Sequence, residues 1–386
     1  MQPLKGITVV SLEQAIAAPF AARHLADLGA RVIKVERPTG DFARAYDNTV
    51  HGLSSHFVWV NRNKESIVLN LKDPEDLETL FLILEDADVF LQNLAPGAAD
   101  RLGLAQETLR ERFPKLITCE ITGYGRGGPY EQKKAYDLLV QCESGVVSIT
   151  GTEDTPSKTG IPVADIAAGM YAYSGILAAL IERGKTGKGR HIEVSMLEAL
   201  GEWMGYPYFF TAYGDSPLQR NGASHAAISP YGPHRCANGE SIFLSIQSER
   251  EWRYLTDEVL KLPELAEDSR FATNMDRVRN REKLTSIIEG VFSKYSISVI
   301  EEQLELAKIA NARLRSPEEF SRHPQLEARG RWFTVSTPGG PVQSLMPVTQ
   351  SRTDELRCDP VPDLGEHTEA IKAEFANRRN AIPIQR

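Results

Sequence analysis

Paired cysteines are missing from this sequence. Its four cysteines, Cys119, Cys142, Cys236 and Cys358, stand far apart with no CxxC among them. That excludes a disulfide framework or a zinc ribbon and fits reduced thiols in the cytoplasm. Positive charge is also in deficit, with 44 Lys and Arg against 52 Asp and Glu and a formal net charge of -8. Such a balance argues against nucleic acid or an anionic membrane as partner, while a phosphorylated small molecule needs only a local basic cluster. No run approaches the roughly 18 apolar residues of a membrane span. The start, MQPLKGITVVSLEQ, has no apolar signal core. A cytoplasmic protein with no membrane partner, no metal and no permanently bound cofactor is expected.

The glycine fingerprints of nucleotide binding are absent as well. The turn after the first expected strand reads Gln14-Ala15-Ile16-Ala17-Ala18-Pro19 in place of GxGxxG, which argues against an NAD site. Gly184-Lys185-Thr186-Gly187-Lys188-Gly189 lacks the GxxxxGK[ST] pattern and joins a helix to a strand, the reverse of the P-loop order, so it reads as a turn.

What is present is strand and helix in alternation. β-branched runs at 7–12 and 31–36 flank a helical stretch ending at Gly29, a βαβ unit. Strands at 65–71, 88–92 and 116–121 continue it, with helices at 74–86 and 106–113. This is an α/β fold with an open, doubly wound, Rossmann-like large domain, in which ligands bind beyond the carboxyl ends of the strands. Arg37, Lys72, Asn93, Arg101, Lys133 and Lys134 all follow such strand ends. Each alone reads as a solvated surface group; their recurrence outlines a composite phosphate site.

At 386 residues the chain exceeds what one core supports, and the texture changes after Tyr206. We expect residues 1–205 to form the first part of the large domain and 206–225 a linker. Residues 226–325 are read as a smaller α+β domain, and 326–386 as the return to the large one.

Asp165 follows the extended Ile161-Pro162-Val163 and precedes a helix rich in Ala and Gly that runs to residue 183. It stands where an N-cap stands, and there backbone N–H groups and the helix dipole favour the ionised form. The small residues predict a buried helix.

Several strings together resemble the class III CoA-transferases. They are LADLGARVIKVERPTGD (25–41), NRNKESIVLNLK (61–72), LQNLAPGAADRLGL (91–104), ITGYGRGGP (121–129), KAYDLLVQCESGVVSITG (134–151), the Asp165 helix through GKTGKGRHIEVSM, and LGEHT (364–368). The resemblance spans nearly the whole chain in order. It implies a ring-like subunit interlocked in a homodimer, with a coenzyme A thioester as substrate rather than as bound cofactor. It makes Asp165 the catalytic nucleophile and places Arg37, Leu69, Lys72, Asn93, Leu94, Arg101 and Lys134 against CoA. Ile16 and Ala17 fall at the acyl end, and Tyr136 falls beside the thioester.

The racemases of the same family carry a His where Tyr136 stands, and a phenol of pKa about 10 is a poor base near neutrality. Transfer is therefore expected over racemisation; a non-catalytic acyl-CoA-binding protein is the other alternative. The substrates expected are an acyl-CoA, succinyl-CoA foremost, and a small carboxylic acid such as itaconate, mesaconate, malate or citramalate. Arg220 and His225, with Ser229, Tyr231 and His234, are candidates to meet a second carboxylate. The four-glycine lid seen in parts of the family is not recognisable, and Gly339-Gly340 is not assigned to it.

Overall fold

β-branched runs separated by capped helices assemble into one parallel sheet. The computed structural model describes residues 2–214, 217–351 and 353–381. The chain divides into two compact units. The first comprises residues up to Val146, Thr159–Tyr206 and the chain from Gln325 on; the second comprises Val147–Lys158 and Pro207–Pro324.

In the first unit, β1 (Thr8–Leu12), β2 (Arg31–Glu36), β3 (Lys64–Val68), β4 (Val89–Gln92), β5 (Ile117–Thr122) and β6 (His191–Ser195) form a six-stranded sheet of order β3-β2-β1-β4-β5-β6. Every pairing is parallel. Val9 lies opposite Val32 on one side and Val89 on the other, so β1 and β4 are the two central strands. The chain winds outward from β1 to β3 and from β4 to β6. Between β1 and β4 the winding reverses, and in open α/β sheets the crevice there is the ligand site.

Both faces of the sheet are covered, which is why its strands read as nearly continuous apolar runs. Val9, Val32, Leu91, Ile117 and Cys119 pack with the helices Ala17–Asp27 and Val163–Thr186. Val10, Ile33, Ile67 and Phe90 pack with helix Pro74–Glu85 and with Ile371 and Phe375 of the last helix, Thr368–Ala381. Each fully buried Leu, Ile or Val contributes about 1.5–3 kcal/mol.

Helix Val163–Thr186 is long and apolar enough to cross a membrane by length and composition alone. Its small residues instead make it a core helix. Ala164, Ala167, Ala168, Gly169, Ala172, Ile176 and Ala179 are buried, on the side where the helix Ala17–Asp27 packs. The expected burial holds for this small-residue side, whereas Met170, Tyr171 and Ile181 are exposed.

The second unit has a three-stranded antiparallel sheet of β7 (Tyr231–Arg235), β8 (Ser241–Ser245) and β9 (Ala310–Arg313). Trp252, Phe271, Ile288, Phe292 and Ile300 build its separate core with Ile242 and Leu244. This is an α+β unit. Residues 147–158 group with it rather than with the 1–205 stretch, and the stretch read as a linker begins inside the helix Gly205–Tyr213. Asp215 and Ser216 of that stretch, and Arg352 and 382–386 of the return segment, lie outside the described residues. In the return segment β10 (Trp332–Val335) and β11 (Val342–Leu345) pair around the turn predicted at Pro338-Gly339-Gly340-Pro341. A Cβ on Gly339 would lie 2.5 Å from the carbonyl oxygen of His51, so this glycine pair is a packed hairpin turn.

Candidate active site

The turn after β1 carries the first constraint. Ala15 adopts φ 58, a left-handed conformation that costs a non-glycine residue about 1–2 kcal/mol. Its neighbours hold it there. Asn93, just past β4, accepts the Gln14 N–H at 2.8 Å and donates to the Gln14 carbonyl at 2.9 Å. Asp41 accepts the Ala15 N–H at 3.2 Å. The two strands at the winding reversal are thus tied together through this turn. Ile16 is buried with Phe20 and Val60 and packs with Ile166, next in sequence to Asp165. Ala17 comes just as close to that helix, since a Cβ on Gly169 would lie 2.7 Å from the Ala17 carbonyl oxygen.

Beneath the turn lies an ionic network that the sequence reading missed. Lys34 Nζ meets Asp41 at 2.9 Å and Glu13 at 3.3 Å, and Lys64 Nζ meets the same Glu13 oxygen at 2.5 Å. These side chains have no solvent exposure. Burial pulls the Lys64 ammonium down to about 8 against the attraction of Glu13. At Lys34 burial acts the same way, but Glu13, Asp41 and Glu36 outweigh it and its pKa is raised. Burial works against the Glu36 carboxylate too, yet hydrogen bonding from Arg44 and the charge of Lys34 bring it down to about 2. A sequence signal existed: Lys34 interrupts the apolar run Val32-Ile33-Lys34-Val35 of an interior strand, β2.

Beyond the strand ends opens a cleft of about 230 Å³ lined by residues that include Gln14, Arg37, Leu69, Lys72, Leu94 and Leu102. Four of the residues expected to meet CoA, Arg37, Leu69, Lys72 and Leu94, therefore share one cavity. Leu69 is buried in its floor, whereas Arg37 and Lys72 are exposed at its edge. The remaining three do not line it. Asn93 is committed to the Gln14 turn, Arg101 is exposed at the end of the short helix Ala98–Arg101, and Lys134 is exposed two residues before Tyr136. Lys133 pairs with Glu143 and lies 4.1 Å from the Tyr130 ring centroid.

Asp165 differs from its expectation in two ways. The helix begins at Val163 with Pro162 as N-cap, so Asp165 is the third helical residue and not the cap. Among the described residues no donor bonds its carboxylate. Two N–H groups of the first turn are taken by a different carboxylate, as Asp137 Oδ1 accepts from Ala164 at 2.8 Å and from Asp165 at 3.4 Å. Burial, reinforced by the charge of Asp137, pushes the Asp165 carboxyl up to about 7. It is held near the balance between acid and carboxylate at neutral pH, rather than stabilised as an anion.

One phenol, Tyr46, stands in the electrostatic reach of this group, and a second, Tyr136, in the reach of Tyr46. Tyr136 is exposed and precedes the helix Asp137–Glu143. Tyr46, which the sequence reading did not single out, is pushed up to about 12 by burial and then by Asp41, Asp165 and Tyr136.

Arg220 and His225 belong to the second unit. The Arg220 guanidinium donates to the carbonyls of Thr152, Ser148 and Glu153 at 2.8, 3.0 and 2.6 Å, so it clasps the 148–153 segment. His225 stacks on Tyr231 with ring centroids 5.2 Å apart, and its Nδ1 accepts the Ala227 N–H. His234 is buried edge-on against Phe292, where burial lowers it to about 4.

The sequence model described as CoA-transferase family III matches residues 4–368. This chain belongs to CoA-transferase family III. It is 33% identical over 380 residues to the succinyl-CoA:glutarate CoA-transferase of Homo sapiens, covering 97% of this chain and 86% of that protein. It is 35% identical over 393 residues to the succinate–glutarate CoA-transferase of Agrobacterium fabrum, covering 99% and 98%. The crystal structure of a CAIB/BAIF family protein from Brucella suis superposes with a TM-score of 0.84 at 33% identity, covering 97% of this chain and 99% of that one. As a family III CoA-transferase the chain is an enzyme of a family whose substrates are CoA thioesters.

Proposed function

We propose that this family III CoA-transferase moves CoA from succinyl-CoA to a short dicarboxylic acid, with Asp165 as covalent nucleophile. The observation that carries this is the state of Asp165, a carboxylate without a hydrogen-bond donor among the described residues and with its pKa raised to about 7. Desolvation makes a carboxylate a stronger nucleophile than one neutralised by donors.

The sequence of bonds balances without ATP. An Asp165 oxygen adds to the thioester carbonyl, the carbon–sulfur bond breaks, and CoA leaves as thiolate from a mixed anhydride. The thiolate attacks the Asp165 carbonyl carbon, giving an aspartyl-CoA thioester and freeing the donor acid. The acceptor carboxylate then displaces the thiolate, forming a second anhydride. Attack of the thiolate on the acceptor's acyl carbon releases the new thioester and restores the Asp165 carboxylate. The tetrahedral oxyanions need fixed donors, and the constrained turn is suited to present the Ile16 and Ala17 N–H groups there, the Ala15 N–H being taken by Asp41. Arg37 and Lys72 would meet the phosphates, with Asn93, Arg101 and Lys134 completing the CoA contacts, and Ile16 and Tyr136 bordering the acyl group. Arg220 and His225 are assigned a supporting role in the second unit.

The dicarboxylate preference is supported by the glutarate transferases to which the chain is similar. Itaconate, mesaconate, malate and citramalate join glutarate as acceptors to test. Tyr136 in place of a histidine favours transfer over racemisation. A homodimer is proposed with it: no residue of helix Gly205–Tyr213 is buried, and Tyr208, Phe209 and Tyr213 are exposed.

The test is a panel of acids incubated with succinyl-CoA. C4 and C5 dicarboxylates should accept CoA in preference to monocarboxylates and carnitine, and trapping with hydroxylamine should modify Asp165. Acceptance by monocarboxylates alone, or undiminished exchange in Asp165→Ala, removes the reading.

A further inference from the structure

Pro162 brings no side-chain acceptor to the start of helix Val163–Thr186, so the first-turn N–H groups need a partner from elsewhere. Asp137 provides it. One of its oxygens accepts from Ala164 at 2.8 Å and, at a longer 3.4 Å, from Asp165. The other accepts from Gln141 Nε2 at 2.6 Å. Gln141 is fully buried, and its own carbonyl oxygen accepts the Thr159 N–H at 3.0 Å. The chain Thr159–Gln141–Asp137 therefore clamps the segment that leads into Asp165 onto the helix Asp137–Glu143.

We propose that Asp137 is a positioning residue for Asp165: by capping the helix from outside it occupies the first-turn N–H groups, so that the Asp165 side chain is left unbonded and free to attack. This rests on Asp165 being the nucleophile. A side chain at the third helical position ordinarily folds back toward the turn's free N–H groups and is stabilised as an anion by them. Here Asp137 takes that place and adds a negative charge beside Asp165. The clamp thus fixes the approach of the nucleophile and keeps it basic.

Other charged groups on elements packed against this helix are engaged elsewhere. Arg23 and Asp27 of helix Ala17–Asp27 pair with each other and Asp27 with Arg62, while His24 meets Tyr173, two turns beyond Asp165. Glu143 pairs with Lys133, Glu120 with Arg126, and Glu193 accepts the Arg126 N–H. His191 bonds the Thr118 hydroxyl. Glu198 and Glu202 of helix Met196–Trp203 are exposed. The remaining neighbour is the Tyr46 phenol, pushed up to about 12 by burial and then by Asp41, Asp165 and Tyr136.

The test is a pH titration of the full chain carrying 13Cγ-labelled aspartate, with the Asp165 signal assigned by its loss in Asp165→Asn. In Asp137→Asn, and in Asp137→Ser as a second variant that keeps an acceptor for Ala164, the Asp165 midpoint should fall by one unit or more. The acid limb of kcat should move with it, with KM for succinyl-CoA within about twofold, because the acyl-CoA contacts are untouched. An unmoved midpoint in either variant that retains the wild-type Tm overturns the positioning role while leaving Asp165 as nucleophile. Undiminished transfer in Asp165→Asn overturns the nucleophile itself, and the positioning role with it, whatever the midpoint does.

Discussion

A Cβ placed on Gly169 would lie 2.7 Å from the carbonyl oxygen of Ala17. Two helices from distant parts of the sequence approach closely at this point, with the Phe20 side chain at 3.1 Å as well, one turn beyond Asp165 and at the end of the Gln14–Ala17 turn. Gly169→Val should push them apart, costing about 1–3 kcal/mol by overpacking. Because the displaced elements carry the nucleophile and the facing turn, kcat should fall at least tenfold while KM for the acyl-CoA changes little. Steady-state kinetics beside thermal unfolding will separate the two effects.

Asn93 makes both hydrogen bonds that tie β4 to Gln14. Asn93→Ala leaves two backbone groups of a strained turn without partners, at roughly 1–3 kcal/mol each where water cannot replace them. The left-handed Ala15 then has less to hold it. The expected outcome is a lower Tm with a lower kcat, and Asn93→Asp, which restores only the acceptor, should recover part of each.

The raised pKa of Asp165 has a defined sign in stability. The folded protein binds this proton more tightly than the unfolded chain, so the stabilisation is full below the unfolded value near 4. It is lost as pH rises through the folded value of about 7. Asp165→Asn removes the penalty, and the variant should be more stable than wild type at pH 8 by roughly 2–4 kcal/mol, with no advantage at pH 4. Chemical denaturation at both pH values checks it. The transfer rate of the wild type should fall below pH 7, where the carboxylate is protonated.

Lys34 bridges Glu13 and Asp41 without solvent. Replacing one member of a buried network leaves uncompensated charge, so Lys34→Met should cost about 3–5 kcal/mol. It should also loosen the turn that Asp41 holds at Ala15. If the loss in urea denaturation is under 1 kcal/mol, the network does not hold that turn in place.

The parallel sheet was legible in the residues because its strands are β-branched runs such as Val32-Ile33 and Val9-Val10, bounded by turn residues at a spacing that allows only crossover connections. The family was legible in its strings; strand-end topology picked out Arg37 and Lys72 and the resemblance added Leu69 and Leu94, and all four line one cleft. Three features were not legible. Asp165 stood at the right place for a cap, yet its environment is set by Asp137, 28 residues away, and by burial that no local pattern encodes. Lys34, Lys64, Glu13 and Asp41 read as ordinary charges until folding desolvated them together. Arg220, a free guanidinium on paper, is spent on the carbonyls of 148–153, a segment that joins the second unit only in three dimensions. The sequence by itself determined the succession of strands and helices and the residue types that follow each strand, since both follow from periodicity and residue type. The tertiary structure decided which carboxylate is capped, which is the cap and which is left basic, because desolvation and charge–charge coupling depend on distances that only packing sets.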